Sequence, residues 1–245
     1  LDHPEDTWLS LFGQMHEGPQ STRLGLKGLP RIAEEVAVSK NLELLTYAGG
    51  RLHMAKLSTA KSIDLIRNAK KKGLQVTCDV AAYQPLYSDD VLSDFDTNFK
   101  VNPPLREKSD QDALIKGLKD GTIDVLVSNH TPHEDESKFL EFDQAEFGMT
   151  NLQTFAAQLT ALSKSVEWED LIRKVTAAPR QLLKLPPVVV DTDTKANLTL
   201  LDPNRTWQYK LETNYSKSRN SPWLGQTLTG KVVAVFNNNK HWLDA

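Results

Sequence analysis

The chain has 245 residues, enough to bury a substantial core, and its 39% hydrophobic and 25% charged residues are typical of a globular protein. A net charge of −3 without any basic block argues against nucleic acid and anionic membranes as partners. The sequence shows neither an apolar run of the ~20 residues that a transmembrane helix needs nor a signal peptide, so we expect no membrane partner.

Strand and helix patterns alternate through the first half of the chain. We interpret residues 1–29, which contain several glycines and little periodicity, as a long, structured connection rather than a regular element. Helices are predicted from Pro30 to the glycine pair at 49–50, from a cap at Ser58 or Thr59 to Gly73, and over 109–118. Strands are predicted over 51–55, 74–81 and 123–128, with a short one over 99–101. This alternation is typical of βαβ units around a parallel sheet.

The second half changes character towards its end. Residues 134–148 are polar and charged with interspersed phenylalanines, and we expect a mobile lid or binding loop there. Helices are predicted over 149–163, 167–176 and 178–184, and β-rich runs over 197–202, 206–210 and 231–237. The pattern divides the chain into a domain of residues 1–190 and a smaller β-rich domain of residues 191–245.

Cys78 is the single cysteine and lies inside an apolar run. It cannot form an internal disulfide, and a lone buried thiol is typical of a reducing compartment, so we expect the protein in the cytoplasm. Nothing basic adjoins Cys78 in the sequence, which favours a structural role over a nucleophilic one.

Polar side chains follow the apolar strand pattern at 123–128. The stretch reads VLVSNHTPH and places an amide, Asn129, and two imidazoles, His130 and His133, directly after the strand. Functional groups of α/β proteins gather at the carboxyl ends of parallel strands. We therefore interpret this stretch as part of a functional rim, with a strand end carrying two surface histidines as the alternative.

Motifs spread over nearly the whole chain resemble those of the dihydroorotases of the amidohydrolase superfamily, of the class I type found in multifunctional complexes. The matching stretches are MHEGPQSTRLGLKGLP (15–30), RLHMAKLSTAKSIDLIRNAKKKGLQVT (51–77), VNPPLRE (101–107), DGTIDVLVSNHTPHEDESK (120–138), ANLTLLDPNRTW (196–207) and SKSRNSPWLGQTLTGKVVAVF (216–236). The resemblance implies an α/β fold. The chain would form the carboxyl-terminal portion of a TIM-like (β/α)8 metal-dependent hydrolase barrel, plus part of a small composite β-sandwich.

The resemblance also implies a function in pyrimidine biosynthesis. Family members carry zinc at the carboxyl-terminal rim and interconvert dihydroorotate and carbamoyl aspartate, with a metal-activated hydroxide and an aspartate that handles the proton. Their first-strand His-x-His pair and fourth-strand lysine have no counterpart here, so we expect about the first half of the barrel to lie outside these 245 residues. The resemblance further suggests an oligomer, with aspartate transcarbamoylase as a partner.

Three family positions that carry metal or proton chemistry are substituted. Lys56 stands where the motif before Leu57-Ser58-Thr59 has a zinc-binding histidine, and an ammonium offers no lone pair. Tyr83 stands at the second ligand position, where we expect an aromatic filling space, and Asn129 replaces the last-strand aspartate. Asn129 cannot act as a base. His53, three residues from Lys56, is expected on the opposite strand face as a packing histidine.

Other family positions persist. Asn102 and His133 match residues that contact the pyrimidine ring in the family, and Gly148 lies in a corresponding substrate-binding loop. They are retained either for a small pyrimidine or for loop geometry alone, while Arg106 is expected in a salt bridge.

The pattern predicts a pseudoenzyme with no cofactor, serving as a structural or regulatory subunit. The alternatives are an active dihydroorotase, or another cyclic amidohydrolase, that uses zinc, and a pyrimidine-binding sensor.

Overall fold

Helices and strands alternate through most of the chain in the computed structural model, which describes residues 1–237 and 240–244. The helices are α1 (Pro19–Leu24), α2 (Arg31–Ala48), α3 (Ala60–Lys71), α4 (Lys108–Lys119), α5 (Asp135–Lys138), α6 (Phe155–Leu162), α7 (Trp168–Val175) and α8 (Ala177–Leu182). The strands are β1 (Met15–His16), β2 (Gly28–Leu29), β3 (Leu52–Met54), β4 (Val76–Ala81), β5 (Val125–Val127), β6 (Asn197–Gln208), β7 (Thr227–Asn237) and β8 (Lys240–Leu243).

A parallel sheet in the order β3-β4-β5 forms the centre of the α/β part. Val76, Cys78 and Val80 of the middle strand are buried in the main hydrophobic core. That core also contains apolar side chains of α2, α3, α4, α6 and α7, so the helices cover one face of the sheet. Burying this face supplies the hydrophobic free energy that holds the layers together.

Local sequence signals explain where the long helices begin. Pro30 is the N-cap of α2, where its missing N–H costs nothing. Thr59 is the N-cap of α3, and its side chain accepts a hydrogen bond from the backbone N–H of Ser62 at 3.2 Å. Both starts confirm the sequence prediction.

An antiparallel sheet in the order β6-β7-β8 follows the last helix. The runs at 197–202 and 206–210 belong to one long strand, β6, whose pairing with β7 is irregular between Asp202 and Thr206. Strand β8 was not predicted. The segment between α8 and β6 is exposed coil, and the division at residue 190 remains a prediction.

Two sequence predictions about local structure are wrong. Residues 1–29, predicted as a structured connection without regular elements, contain the parallel pair β1-β2 and the helix α1. Residues 99–101 form no strand: a 3-10 turn ends at Phe99, and the carbonyl of Lys100 accepts the backbone N–H of Gly148 at 2.8 Å without a strand ladder around it. In both places tertiary pairing, rather than propensity, decides the backbone structure.

The predicted helix over 149–163 begins only at Phe155. Residues before it are held by the rim, where the backbone N–H of Thr150 donates to the carbonyl of Asn220 at 2.7 Å. Within the described residues, no helix is long and apolar enough to cross a bilayer.

Candidate functional site

The three parallel strands deliver Lys56, Tyr83 and Asn129 to one rim. Lys56 and Asn129 both have positive φ angles, 58° and 47°, so the chain turns sharply after β3 and β5. The backbone N–H of Lys56 donates to Oδ1 of Asp79 at 2.7 Å. The carboxylate of Asp79 thus fixes this turn from the neighbouring strand.

Tyr83 and Asn129 are joined directly. Nδ2 of Asn129 donates to the Tyr83 hydroxyl at 2.6 Å and, more weakly, to the carbonyl of Asn102 at 3.3 Å. Tyr83 is completely buried, and desolvation raises the pKa of its hydroxyl. The contact is therefore a neutral hydrogen-bonded bridge between two strand ends.

His53 lies inside the sheet region with both ring nitrogens engaged. Nδ1 is 2.8 Å from Oγ1 of Thr77, and Nε2 is 2.8 Å from Oδ2 of Asp79. The side chain is 5% exposed. Its lone pair is not free for a metal, so the imidazole serves as a structural link between β3 and β4.

His3 also reaches this rim, and the sequence reasoning missed it. Asp2 forms a parallel bridge with Met54, and the backbone N–H of Asp2 donates to the carbonyl of His53 at 2.9 Å. Nδ1 of His3 is 3.2 Å from the carbonyl of Ala55, while its buried Nε2 has no partner among the described residues. A single β-bridge produces no periodic pattern in the sequence. The histidine side chain itself was therefore the one sequence signal for a functional residue at position 3.

The two histidines after β5 have different environments. Nδ1 of His130 accepts backbone N–H groups of Asn151 and Leu152 at 2.9 and 3.1 Å, and burial lowers its pKa. It therefore anchors the chain leading into α6. Nε2 of His133 lies 3.1 Å from the carbonyl of Phe147, and its backbone N–H donates to Oδ1 of Asn220 at 3.2 Å.

Gly148 contacts the same turn closely. Its φ is +147°, and a Cβ there would lie 2.7 Å from Thr131 and 3.0 Å from Nε2 of His133. Asn102 lies beside the Asn129 amide, and its own Nδ2 donates to Oε2 of Glu5 at 3.3 Å. Asn102, His133 and Gly148 thus lie around one rim. Asn102 is contacted by Asn129, which follows β5, and His133 lies in the loop after β5.

A buried polar network supports the rim from below. The Glu34 carboxylate accepts the backbone N–H groups of Ser58 and Thr59, at 3.0 and 3.1 Å. Nε of Arg106 donates to Oγ of Ser58 at 2.9 Å, and its Nη2 is 3.8 Å from Glu34. Arg106 therefore lies in the expected salt bridge, which fixes the Leu57-Ser58-Thr59 turn.

The side chains at this rim do not fit a zinc ion by themselves. Structural and catalytic zinc sites take three or four N, O or S ligands from the protein. The part of the chain that the structure describes holds no group of three or more His, Cys, Asp or Glu side chains suited to a metal ion. His3 offers one free nitrogen, whereas Lys56, Tyr83 and Asn129 supply an ammonium, a bonded phenol and an amide.

Burial raises the pKa of Cys78 to about 12, and the thiol lies 3.4 Å from the carbonyl of Thr122. A thiol that stays protonated is not a nucleophile at neutral pH.

The fold is shared with solved structures of cyclic amide hydrolases. The structure is similar to L-hydantoinase from Arthrobacter aurescens, with a TM-score of 0.86, 22% identity and coverage of 99% of this chain and 56% of that one. It is also similar to dihydropyrimidinase from Brevibacillus agri, with a TM-score of 0.82, 20% identity and coverage of 98% and 56%. The chain therefore has the α/β fold of the carboxyl-terminal portion of such a barrel, together with a β domain.

Sequence comparison defines the family more closely. The chain is 42% identical over 241 residues to a dihydroorotase from Carboxydothermus hydrogenoformans, which covers 96% of this chain and 56% of that protein. It is 38% identical over 238 residues to a dihydroorotase from Pelobacter propionicus. The chain belongs to the dihydroorotase family and spans about half the length of these curated relatives. No protein-family model matches it.

One further structural neighbour is described as the inactive dihydroorotase-like domain of a CAD-like multifunctional protein from Chaetomium thermophilum. It has a TM-score of 0.62 and 23% identity, and covers 84% of this chain and 55% of that one. At this identity the likeness concerns the fold alone.

Proposed function

We propose that this chain is part of a non-catalytic dihydroorotase-family protein, a structural or regulatory subunit of pyrimidine biosynthesis in the cytoplasm. One observation carries the proposal: Nδ2 of Asn129 donates a hydrogen bond to the Tyr83 hydroxyl at 2.6 Å, which joins two substituted family positions through neutral groups. The reduced, buried Cys78 is compatible with the cytoplasm.

The chemistry of these side chains supports a loss of activity. Cyclic amide hydrolysis needs an activated water and a group that takes up its proton. The Asn129 amide has no basic lone pair, and loss of a general base lowers a rate by about 10²–10⁴-fold. Lys56 stands at the position where the family resemblance implies a zinc-binding histidine, and an ammonium group would repel a metal cation at short range.

The test uses the full-length protein. We expect well below one zinc per chain by elemental analysis and no detectable cyclisation of carbamoyl aspartate. Near-stoichiometric zinc with sustained turnover would refute the proposal. The matched variant carries Lys56→His and Asn129→Asp together, and a gain of zinc in this variant alone would identify these two positions as the cause.

Aspartate transcarbamoylase is the partner we propose, since it catalyses the step before dihydroorotase in the pathway that the family resemblance implies. Size-exclusion chromatography of the two full-length proteins from the same organism should show one co-eluting complex. Separate elution at micromolar concentrations would exclude a stable assembly.

A second candidate is an active zinc-dependent cyclic amidohydrolase. The observation that favours it is Nε2 of His3, which has no hydrogen-bond partner in the part of the chain that the structure describes and is a competent zinc ligand. If the full-length protein turns over, His3→Ala should reduce activity at least a hundredfold. His53→Gln, at a position where both ring nitrogens are already engaged, should have a smaller effect on turnover.

A pyrimidine pocket can persist in either case. The carbonyl of Asn102 accepts a hydrogen bond from the Asn129 amide at 3.3 Å, and Nε2 of His133 lies 3.1 Å from the carbonyl of Phe147, the residue before Gly148. Calorimetric titration of the full-length protein with orotate and dihydroorotate tests this directly. Heat that disappears in His133→Ala supports a sensor, and the absence of heat in the wild type rejects it.

A further inference from the structure

Two buried ammonium groups lie where the 134–148 segment folds against the rim. Lys100 is 2% exposed and Lys138 is 1% exposed. A buried charge is costly unless polar groups surround it, so both side chains need an explanation. Neither is used by the rim chemistry described above.

Backbone carbonyl groups of the segment surround both ammonium groups. Nζ of Lys100 donates to the carbonyls of Phe142 at 2.6 Å and Asp143 at 3.3 Å. Nζ of Lys138 donates to the carbonyl of Glu146 at 2.7 Å. It also reaches the carbonyl of Lys100 at 3.5 Å, which connects the two sites.

Aromatic rings complete the environment of Lys100. Its Nζ lies 5.4 Å from the ring centroid of Phe142 and 4.8 Å from that of Phe147. Cation–π attraction at such distances strengthens when the groups are desolvated. The segment thus surrounds the two cations, and it also packs Phe142 into a small apolar cluster with Met15 and Leu92.

The same segment contacts the rim at its far end. The backbone N–H of Gly148 donates to the carbonyl of Lys100 at 2.8 Å, and the carbonyl of Phe147 lies 3.1 Å from Nε2 of His133. Phe147 therefore has its ring on Lys100 and its carbonyl on His133. A shift of segment 134–148 would therefore move the Phe147 carbonyl, which is the hydrogen-bond partner of the His133 imidazole.

We propose that Lys100 and Lys138 are positioning residues, a two-lysine latch that holds segment 134–148 on the rim and orients His133 through the Phe147 carbonyl. Desolvation lowers the pKa of each lysine to about 8, and the charge of Lys100 also lowers the pKa of Lys138. The surrounding carboxylates of Asp96, Asp143 and Glu146 oppose this shift.

The test replaces each lysine by methionine, which removes the charge but keeps most of the volume. Lys174→Met is the matched control, because Lys174 is also fully buried and donates to a carbonyl, that of Ile123, away from the segment. Hydrogen exchange of the full-length protein reports on the backbone N–H groups of Glu146 and Gly148, which are bonded to the carbonyls of Ser137 and Lys100. The ¹⁵N NMR signals of the histidine side chains report on the environment of His133. Its signals are assigned by their absence from the spectrum of the His133→Gln variant.

We expect Lys100→Met and Lys138→Met to lower protection in 134–148 at least tenfold and to shift the His133 ¹⁵N signals, whereas Lys174→Met changes neither. Unchanged protection and unchanged His133 signals in both variants would overturn the latch, as would equal effects in the control. If the lysine variants do not fold, Phe147→Leu replaces them, and it should loosen the same amides and shift the same His133 signals. Unchanged exchange and signals in that variant would also overturn the proposal.

The consequence for ligand binding rests on the pyrimidine pocket proposed above. If the wild type binds orotate, the latch variants should weaken binding about tenfold and the control should not. If the wild type binds no orotate, the proposed pyrimidine pocket is refuted. The hydrogen-exchange and NMR results still test the proposal that Lys100 and Lys138 hold the segment on the rim.

Discussion

At the scale of single residues, the Tyr83–Asn129 bridge is the feature on which the functional proposal depends. The tyrosine supplies bulk and a hydroxyl where the family resemblance places a metal ligand, and the asparagine donates to it at 2.6 Å. An aspartate at position 129 could not make this donation, because an ionised carboxylate only accepts hydrogen bonds. Tyrosine at position 83 and asparagine at position 129 therefore fit each other, because this hydrogen bond needs both side chains.

Tyr83→Phe should lower the free energy of unfolding by about 1–2 kcal/mol, because the partly buried Asn129 amide keeps only its weaker contact with Asn102. Urea unfolding of wild type and variant measures the difference. Tyr47→Phe is the control, since Tyr47 is 92% exposed and its replacement should have no effect. A change as small for Tyr83 as for Tyr47 would show that the bridge adds no stability.

His16 predicts a pH dependence. It is fully buried, and Nη1 of Arg106 donates to its Nδ1 at 3.2 Å. Burial, with the positive charges of Arg106 and Arg31, lowers its pKa to about 3. Below about pH 6.5 the His16 imidazole is protonated in the unfolded chain but stays neutral in the folded chain until about pH 3. The contribution of His16 to the free energy of unfolding is therefore fully present above pH 6.5 and is lost as the pH falls towards 3.

Chemical denaturation at pH 7.5 and pH 5 should therefore show a loss of about 2 kcal/mol attributable to His16 alone, from one and a half pH units at about 1.4 kcal/mol each. His16→Asn keeps a hydrogen-bonding side chain and removes the titration. The difference between the two pH values should shrink in this variant. An equal pH dependence in both proteins would show that His16 is not responsible.

At the scale of elements, helix α2 shows what periodicity can and cannot decide. The pattern predicted its extent, from Pro30 to the glycine pair, and the helix runs over Arg31–Ala48. Ile32 and Val36, however, are 47% and 41% exposed, while Ala33 and Ala37 are buried. Which face of α2 is buried depends on where the neighbouring helix α3 lies, and the sequence periodicity of α2 does not predict that position.

The N-cap of α3 gives a prediction at this scale. Thr59→Ala removes the acceptor of the Ser62 N–H and a hydroxyl beside Glu34, and should cost about 1–2 kcal/mol of stability. Thr59→Ser keeps the hydroxyl and should cost much less. Thermal unfolding of the two variants compares them directly, and equal losses would assign the effect to the methyl group.

At the scale of the whole molecule, the antiparallel sheet is packed against the rim side of the parallel sheet. Ala81 and Tyr83 at the end of β4 share one buried cluster with Tyr209 and Trp223, and Trp207 of β6 and Leu228 of β7 pack against it. Nε1 of Trp223 also donates to the Tyr87 hydroxyl at 2.9 Å. The domain boundary predicted from composition therefore runs between two parts that share a core.

Trp223→Ala should cost about 3–5 kcal/mol, because it leaves a cavity between the sheets. It should destabilise both parts together, seen as one shifted transition by far-ultraviolet circular dichroism and by tryptophan fluorescence. Trp8→Ala, at a site that is 83% exposed, is the control. Loss of only the fluorescence transition would mean that the two sheets unfold independently.

The sequence by itself determined the α/β alternation, the caps of α2 and α3 and the substituted positions Lys56, Tyr83 and Asn129, because such features depend on residue identity and on neighbours a few positions away. Only the tertiary structure decided that His3 reaches the rim, that His53 is committed to Asp79, and that Tyr83 and Asn129 bond to one another. Tyr83 and Asn129 are 46 positions apart in the chain, and His53 and Asp79 are 26 apart. Contacts over such separations arise from strand register and packing, and a local pattern carries no record of them.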